Sequence, residues 1–314
     1  MVNRRHIRVK VMQSIYAMHQ NGSDNLEKEE KFLFYSIDNI QDLYLIMLSS
    51  LIEICKKETI FLHLSSQKHL ATPQERNPNE KFIKNKVFQI LAENNSLNIA
   101  LETRKIDNWI LNDDYIILLL NDIKASKLYA DYMSNSINTF EEDKDFLVKL
   151  FMEVIVPNEK LYEYLEDDKL TWVDDIPLVN THIIKQLKAI KDTEEGNFRV
   201  PKLYKDNEDK DFVSLLFRKT VLNEKELAKE FEDKTPNWDS ERIAEIDTII
   251  LKMAICEFLK FPSIPVKVTL NEYLELAKEY STPKSSIFIN GILDNLVKEL
   301  QASNKLVKAG RGLM

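Results

Sequence analysis

Two small groups of residues in this 314-residue chain are placed where an ordinary helix needs neither. The first is Arg4, Arg5, Arg8 and Lys10, which share residues 1–20 with no acidic neighbour. The second is Asn290-Gly291 in the middle of a helical pattern, with Phe288 before it and Asp294 one turn after Asn290. Arginines at a helix start suit phosphate, because guanidinium groups and free helix N–H groups both favour an anion. Lys305, Lys308 and Arg311 add a second acid-free basic stretch over 303–314, although the whole chain carries a net charge of −8. An acidic body with basic ends suits a local polyanion contact, and two solvated tails are the alternative. Glycine inside a helix costs about 1 kcal/mol against alanine, so Gly291 implies close approach of a backbone or a ligand.

The elements that must position these groups are helices. Ile7, Val11, Ile15 and Met18 mark one buried stripe of a first helix starting near Asn3, and Gly22-Ser23-Asp24 ends it. A long helix is expected over 26–54, and others near 80–94, 97–111, 113–135 and 143–156. The charged stretch 192–211, with Gly196 and Pro201, reads as a loop or linker. Helices then follow near 211–221, 223–232, 239–260, 269–280 and 283–301. Thr269 and Glu272 have capping-box spacing, with Pro265 extended upstream. Thr282 and Pro283 have the types expected at an N-cap and the first helical position.

An internal echo runs through the second half. Asp143-Lys144-Asp145-Phe146 returns as Asp209-Lys210-Asp211-Phe212, Asn158-Glu159-Lys160 as Asn223-Glu224-Lys225, and Trp172 as Trp238. The steps agree within one residue, which predicts that 143–190 and 209–256 fold alike as a duplicated helical unit.

Standard catalytic patterns are missing. Neither phosphate-cradling glycine loop occurs, no G-x-S-x-G elbow is present, and His6, His19, His63, His69 and His182 lack metal-site spacing. The acidic pairs Glu141-Glu142, Asp167-Asp168 and Asp174-Asp175 read as solvated charge. The chain therefore reads as a binding protein, not an enzyme, with no cofactor or metal. A hydrophobic fraction of 44% describes a folded, soluble chain. The apolar runs near Leu43–Leu48 and Ile116–Leu120 fall far short of the roughly 20 residues that span a bilayer. Cys55 and Cys256 read as free thiols in a reducing cytoplasm, which sets the expected location.

Several of these stretches together resemble the NusB family of bacterial transcription antitermination factors. Arg5-x-x-Arg8 followed by Gln13-Ser14-Ile15-Tyr16 is similar to its first helix. Arg242–Glu257, with Asp247 and the closing Cys256-Glu257-Phe258, is similar to its fourth main helix. Pro265, Asn271-Glu272, Leu276-Ala277-Lys278 and Phe288-Ile289-Asn290-Gly291-Ile292-Leu293-Asp294 resemble its last two helices nearly residue for residue. The resemblance covers about 1–55 and 206–314. Typical members are about half as long, and a long chain with a central insertion and a Gly-Arg-Gly ending resembles Bacteroidetes-type forms.

The resemblance implies an all-α fold of two small bundles, and the echo suggests that it is enlarged by a helical insertion that partly repeats the third and fourth helix region. Its parts would be 1–60, the insertion 61–205, and 206–314. It implies binding of single-stranded boxA-type ribosomal leader RNA together with the ribosomal protein NusE, and an indirect link to RNA polymerase. Arg4, Arg5, Arg8, Lys284, Phe288, Asn290 and Asp294 would meet RNA, with Phe288 stacking a base and Asn290 reading a base edge. Tyr16, Asp247 and Glu257 would face the protein partner. An RNA-binding accessory factor in ribosome assembly and a helical adaptor without RNA are the other readings.

Overall fold

The computed structural model describes residues 1–193, 196–232 and 244–309. Helices joined by turns make up these residues, with no strand among them. In chain order α1 is Arg4–Gln20 and α2 is Leu26–Ser66, followed by α3 (Pro73–Arg76), α4 (Lys86–Glu93), α5 (Asn95–Arg104) and α6 (Asn108–Leu111). Next come α7 (Asp113–Ala125), α8 (Lys127–Ser134), α9 (Phe140–Leu150), α10 (Glu159–Asp168) and α11 (Ile176–Ala189). The chain closes with α12 (Asn207–Leu222), α13 (Glu224–Glu232), α14 (Glu245–Lys260), α15 (Val266–Tyr280) and α16 (Pro283–Ala302).

These helices form two compact units, one of Met1–Ile37 with Tyr204–Met314 and one of Asp38–Leu203. In the first unit α14 is the central rod. It packs against α1, α12, α13, α15 and α16, and its residues Ile249, Ile250, Leu251, Met253, Ala254 and Ile255 are all fully buried. A helix apolar on every side can be stable only with neighbours all round it. The expected stripe of α1 is buried, and so are Arg8, Val9, Lys10 and Met12 beside it. Asn3 caps α1 by accepting from His6 N–H at 3.0 Å, and Gly22 takes the left-handed turn, φ +57°, that follows the helix.

The second unit is built on the remainder of α2, which is buried on all sides from Leu43 to Ile52. Two tryptophans tie other helices to it through their ring N–H groups. Trp172 donates to the Asn39 carbonyl at 2.8 Å and Trp109 to the Ile46 carbonyl at 3.0 Å. The predicted helix over 113–135 is broken at Ser126, whose hydroxyl accepts from Tyr129 N–H and starts α8.

The two copies of the echo place their shared residues in similar settings. Asp143 and Asp209 both lie buried in the first turn of a helix, α9 and α12, and Phe146 and Phe212 are buried one turn later. Asn158 caps α10 through Leu161 N–H, whereas Asn223 ends α12 and directly precedes α13. Trp172 is fully buried; Trp238 lies outside the described residues.

Candidate nucleic-acid interface

Two helix N-termini meet at one cleft in the first unit. The cleft measures about 430 Å³ and is lined by Asn3, Arg4, Arg5 and Arg8 from the start of α1. Ser263, Ile264, Pro265, Val268 and Glu272 from the start of α15 line its other side. Pro265 is the extended residue before α15, φ −62° and ψ 144°, and no side chain caps this helix. The positive ends of two helix dipoles thus border the same cleft as the arginines, an arrangement that favours an anion.

The capping box expected at Thr269 and Glu272 is not formed, because α15 starts at Val266 instead. Released from that role, both side chains enter ion-pair networks. Arg5 donates to Glu272 through Nε at 2.9 Å and Nη2 at 3.0 Å. Thr269 donates its hydroxyl proton to Glu257 at 2.7 Å. Sequence spacing held no cue for these contacts, since Arg5 and Glu272 lie 267 positions apart.

The three arginines differ sharply in what they offer. Arg4 donates to Asp209 at 2.9 Å and lies over the Phe212 ring, 5.2 Å from its centroid. Its side chain and that of Arg5 remain partly exposed, 38% and 44%. Arg8, expected beside them as an RNA contact, lines the cleft but is only 2% exposed and so offers far less of its guanidinium. It is paired fork to fork with Glu257, at 2.8 and 2.9 Å. Lys10, equally buried, also leaves the basic face.

Two of the three residues expected to face a protein partner are likewise inside. Glu257 is fully buried, its carboxylate engaged as the acceptor for Arg8, Thr269 and Tyr273. Asp247, expected to face the partner, is 3% exposed in the first turn of α14. Tyr16 is exposed, at 39%.

On α16, Thr282 accepts from Ser285 N–H at 3.2 Å and Pro283 opens the helix as its sequence predicts. Lys284 and Asp294 are exposed, and Phe288 and Asn290 are half-buried. Gly291 is exposed, and a Cβ built on it meets nothing within 4 Å. Among the described residues, no neighbouring helix therefore uses the missing side chain. α15 and α16 pack as a hairpin across a short turn. Glu272 precedes the end of α15 by as many residues as Gly291 follows the start of α16, so both lie about 12 Å from the turn. The Arg5–Glu272 pair and Gly291 are thus level along the hairpin. α1 and α16 share α14 as a support, and Arg5 ties α1 to α15.

The basic C-terminal stretch is partly used up inside the fold. Lys308 Nζ donates to the carbonyls of Glu257 and Phe261 at 3.0 Å each, capping the end of α14, and Lys305 lies 3.5 Å from Glu230. Arg311 and the Gly310-Arg311-Gly312 ending lie outside the described residues, as does Arg242. Among the described residues no group of His, Cys, Asp and Glu has the makings of a metal site, and no helix is long and apolar enough to cross a membrane.

Comparison with known proteins adds an independent line. The model of the NusB family matches residues 180–298. The transcription antitermination protein NusB of Salinibacter ruber is 43% identical over 116 residues, covering 37% of this chain and 72% of that protein. The protein of the same name from Clostridium kluyveri is 38% identical over 125 residues, covering 37% and 80%. The one from Chloroherpeton thalassium is 39% identical over 105 residues, covering 33% and 50%. No solved structure matches the chain significantly.

Proposed function

Since this chain belongs to the NusB family, we propose that it is a transcription antitermination factor that binds RNA and a protein partner and performs no catalysis. The RNA is a single-stranded boxA-type segment of a ribosomal leader transcript, and the partner is the ribosomal protein NusE. The complex acts on RNA polymerase indirectly. One observation carries the RNA assignment: the start of α1, with Arg4 and Arg5, and the uncapped start of α15 line a single cleft. Phosphate contacts there would hold the strand, and single-stranded bases would be read along α16. Phe288, Asn290 and Asp294 supply a ring, a carboxamide and a carboxylate near the open backbone at Gly291, and Lys284 adds a cation in the first turn. Tyr16, exposed on α1, is the remaining candidate for the protein contact.

Gel shifts with boxA-like RNA and a scrambled strand, each with and without NusE, test this reading. Cooperative, sequence-dependent binding supports antitermination. Binding indifferent to sequence and to NusE favours a ribosome-assembly accessory, and no binding to either RNA favours an adaptor. Any RNA binding should weaken steeply with added salt, as phosphate contacts require.

A further inference from the structure

Each arginine of the cleft already has an acidic partner within the protein. Arg8 belongs to the buried pair with Glu257, and the Asp209 side chain that holds Arg4 is only 10% exposed. Those two acids anchor α1 to the core. The third acid is different. Glu272 meets Arg5 at the solvent boundary, does not cap α15, and sits 3.7 Å from Arg8 Nη1.

The contact engages the Nε and Nη2 edge of Arg5, the fork that a carboxylate and a phosphate grip in the same way. Arg5 is 44% and Glu272 20% exposed, so this pair at the solvent boundary is the one of the three that an entering anion can exchange with least desolvation. We propose that Glu272 is a built-in stand-in for the RNA phosphate: it holds Arg5 in the free protein and is displaced when the strand enters. This rests on the reading of the cleft as an RNA interface. With Glu272 in place the cleft is charge-balanced, which suppresses binding of arbitrary polyanions. A strand must then gain further contacts, on α16, to open the Arg5 fork.

The exchange has a measurable signature. Displacing Glu272 returns a carboxylate to solvent, where it gathers counterions and offsets part of the counterion release from RNA. Removing its charge should tighten binding and steepen the salt dependence together.

The test is fluorescence anisotropy with a short labelled single-stranded RNA of mixed sequence over a salt series. The variants are Glu272→Gln, Glu272→Ala, Arg5→Ala, the Arg5→Ala/Glu272→Gln double, and Glu275→Gln as a control one turn along α15. Thermal melts check that each is folded. Both Glu272 variants should bind about two- to five-fold tighter at low salt. The slope of log affinity against log salt should steepen by up to about 0.7. The gain should vanish in the double variant and be clearly smaller in Glu275→Gln, whose charge reaches Arg5 only through space. If the wild type binds and the Glu272 variants are unchanged or weaker, Glu272 orients Arg5 instead of competing for it, and this inference alone falls. If neither wild type nor Glu272 variants bind any strand, the RNA reading of the cleft falls as well.

Discussion

The Arg8 guanidinium and the Glu257 carboxylate lie edge to edge out of reach of water, Nε to Oε2 at 2.9 Å and Nη2 to Oε1 at 2.8 Å. Glu257 also takes the hydroxyls of Thr269 at 2.7 Å and Tyr273 at 3.2 Å, so one carboxylate pins α1 and α15 to α14. Burial opposes the charge on Arg8, but the hydrogen bonds and field of Glu257 outweigh it and keep the guanidinium firmly ionised. Burial drives the Tyr273 phenol well above its ordinary pKa, so it remains a donor. The pair is the foundation beneath the cleft, and Arg4 and Arg5 are the arginines that stay partly exposed there.

Removing one member should therefore damage folding far more than binding. Arg8→Ala or Glu257→Gln leaves an uncompensated partner in the core, and either should cost about 3–5 kcal/mol. Arg8→Met with Glu257→Leu, which removes both charges at similar volume, should recover most of that loss. Urea unfolding of the first unit measures it. A single variant as stable as wild type would mean that the pair is open to water in solution.

Gly291 allows folding and binding to be separated at one atom. Its built Cβ has open space around it, so Gly291→Ala should stabilise the free protein by about 1 kcal/mol through helix propensity. If RNA approaches this backbone, the same methyl should weaken binding about ten-fold, equivalent to about 1.4 kcal/mol. Thermal melts and anisotropy on one sample read both. A rise in stability with unchanged affinity would take Gly291 out of the interface.

Much of the helix order can be read from periodicity and caps, because these are local. Asn3, Thr282 and Pro283 announce the starts of α1 and α16, and Ile7, Val11, Ile15 and Met18 mark the buried side of α1. What local sequence hides is which charged residues the tertiary fold consumes. Arg8 and Lys10 look like parts of a basic face, yet α1 is covered on several sides and both go inside. Glu257 and Asp247 occupy turns of α14 that would be a surface if fewer helices surrounded it. Glu272 reads as a cap from spacing alone, and only the earlier start of α15 frees it for Arg5.

Lys284 offers a second opposition between stability and binding. It lies exposed in the first turn of α16, where the helix dipole disfavours a cation. Lys284→Glu should stabilise the free protein by about 0.3–1 kcal/mol at low salt. If a phosphate passes this helix end, the variant should bind RNA more weakly and with a salt slope shallower by about 0.7. Equal slopes for variant and wild type would place the strand elsewhere.

His19 makes the first unit proton-sensitive where α1 ends. Its Nε2 lies 2.8 Å from Glu224 at the start of α13, and its Nδ1 lies 3.0 Å from Glu245 at the start of α14. Carboxylates on both ring nitrogens call for an imidazolium, which has a donor on each side. The hydrogen bond to Glu224 raises the His19 pKa above 6.5, against burial and the Lys252 charge. Its stabilisation is thus complete below 6.5 and drains away as pH rises through the folded value. Burial would raise the Glu224 pKa, but His19 and Lys252 hold it below 4.5, so its share is present above 4.5 and disappears as pH falls through the folded value. The cluster is strongest between those limits. Relative to His19→Gln, the wild type should gain about 0.5–1 kcal/mol near pH 5.5, a modest figure because the ring is partly solvated. That gain should shrink toward zero once the pH has risen through the folded value, which lies above 6.5. Urea titrations of both proteins across this range report the difference, in which groups common to both cancel. A difference that stays flat with pH would show that His19 holds α13 and α14 as a neutral ring, by packing and one hydrogen bond alone.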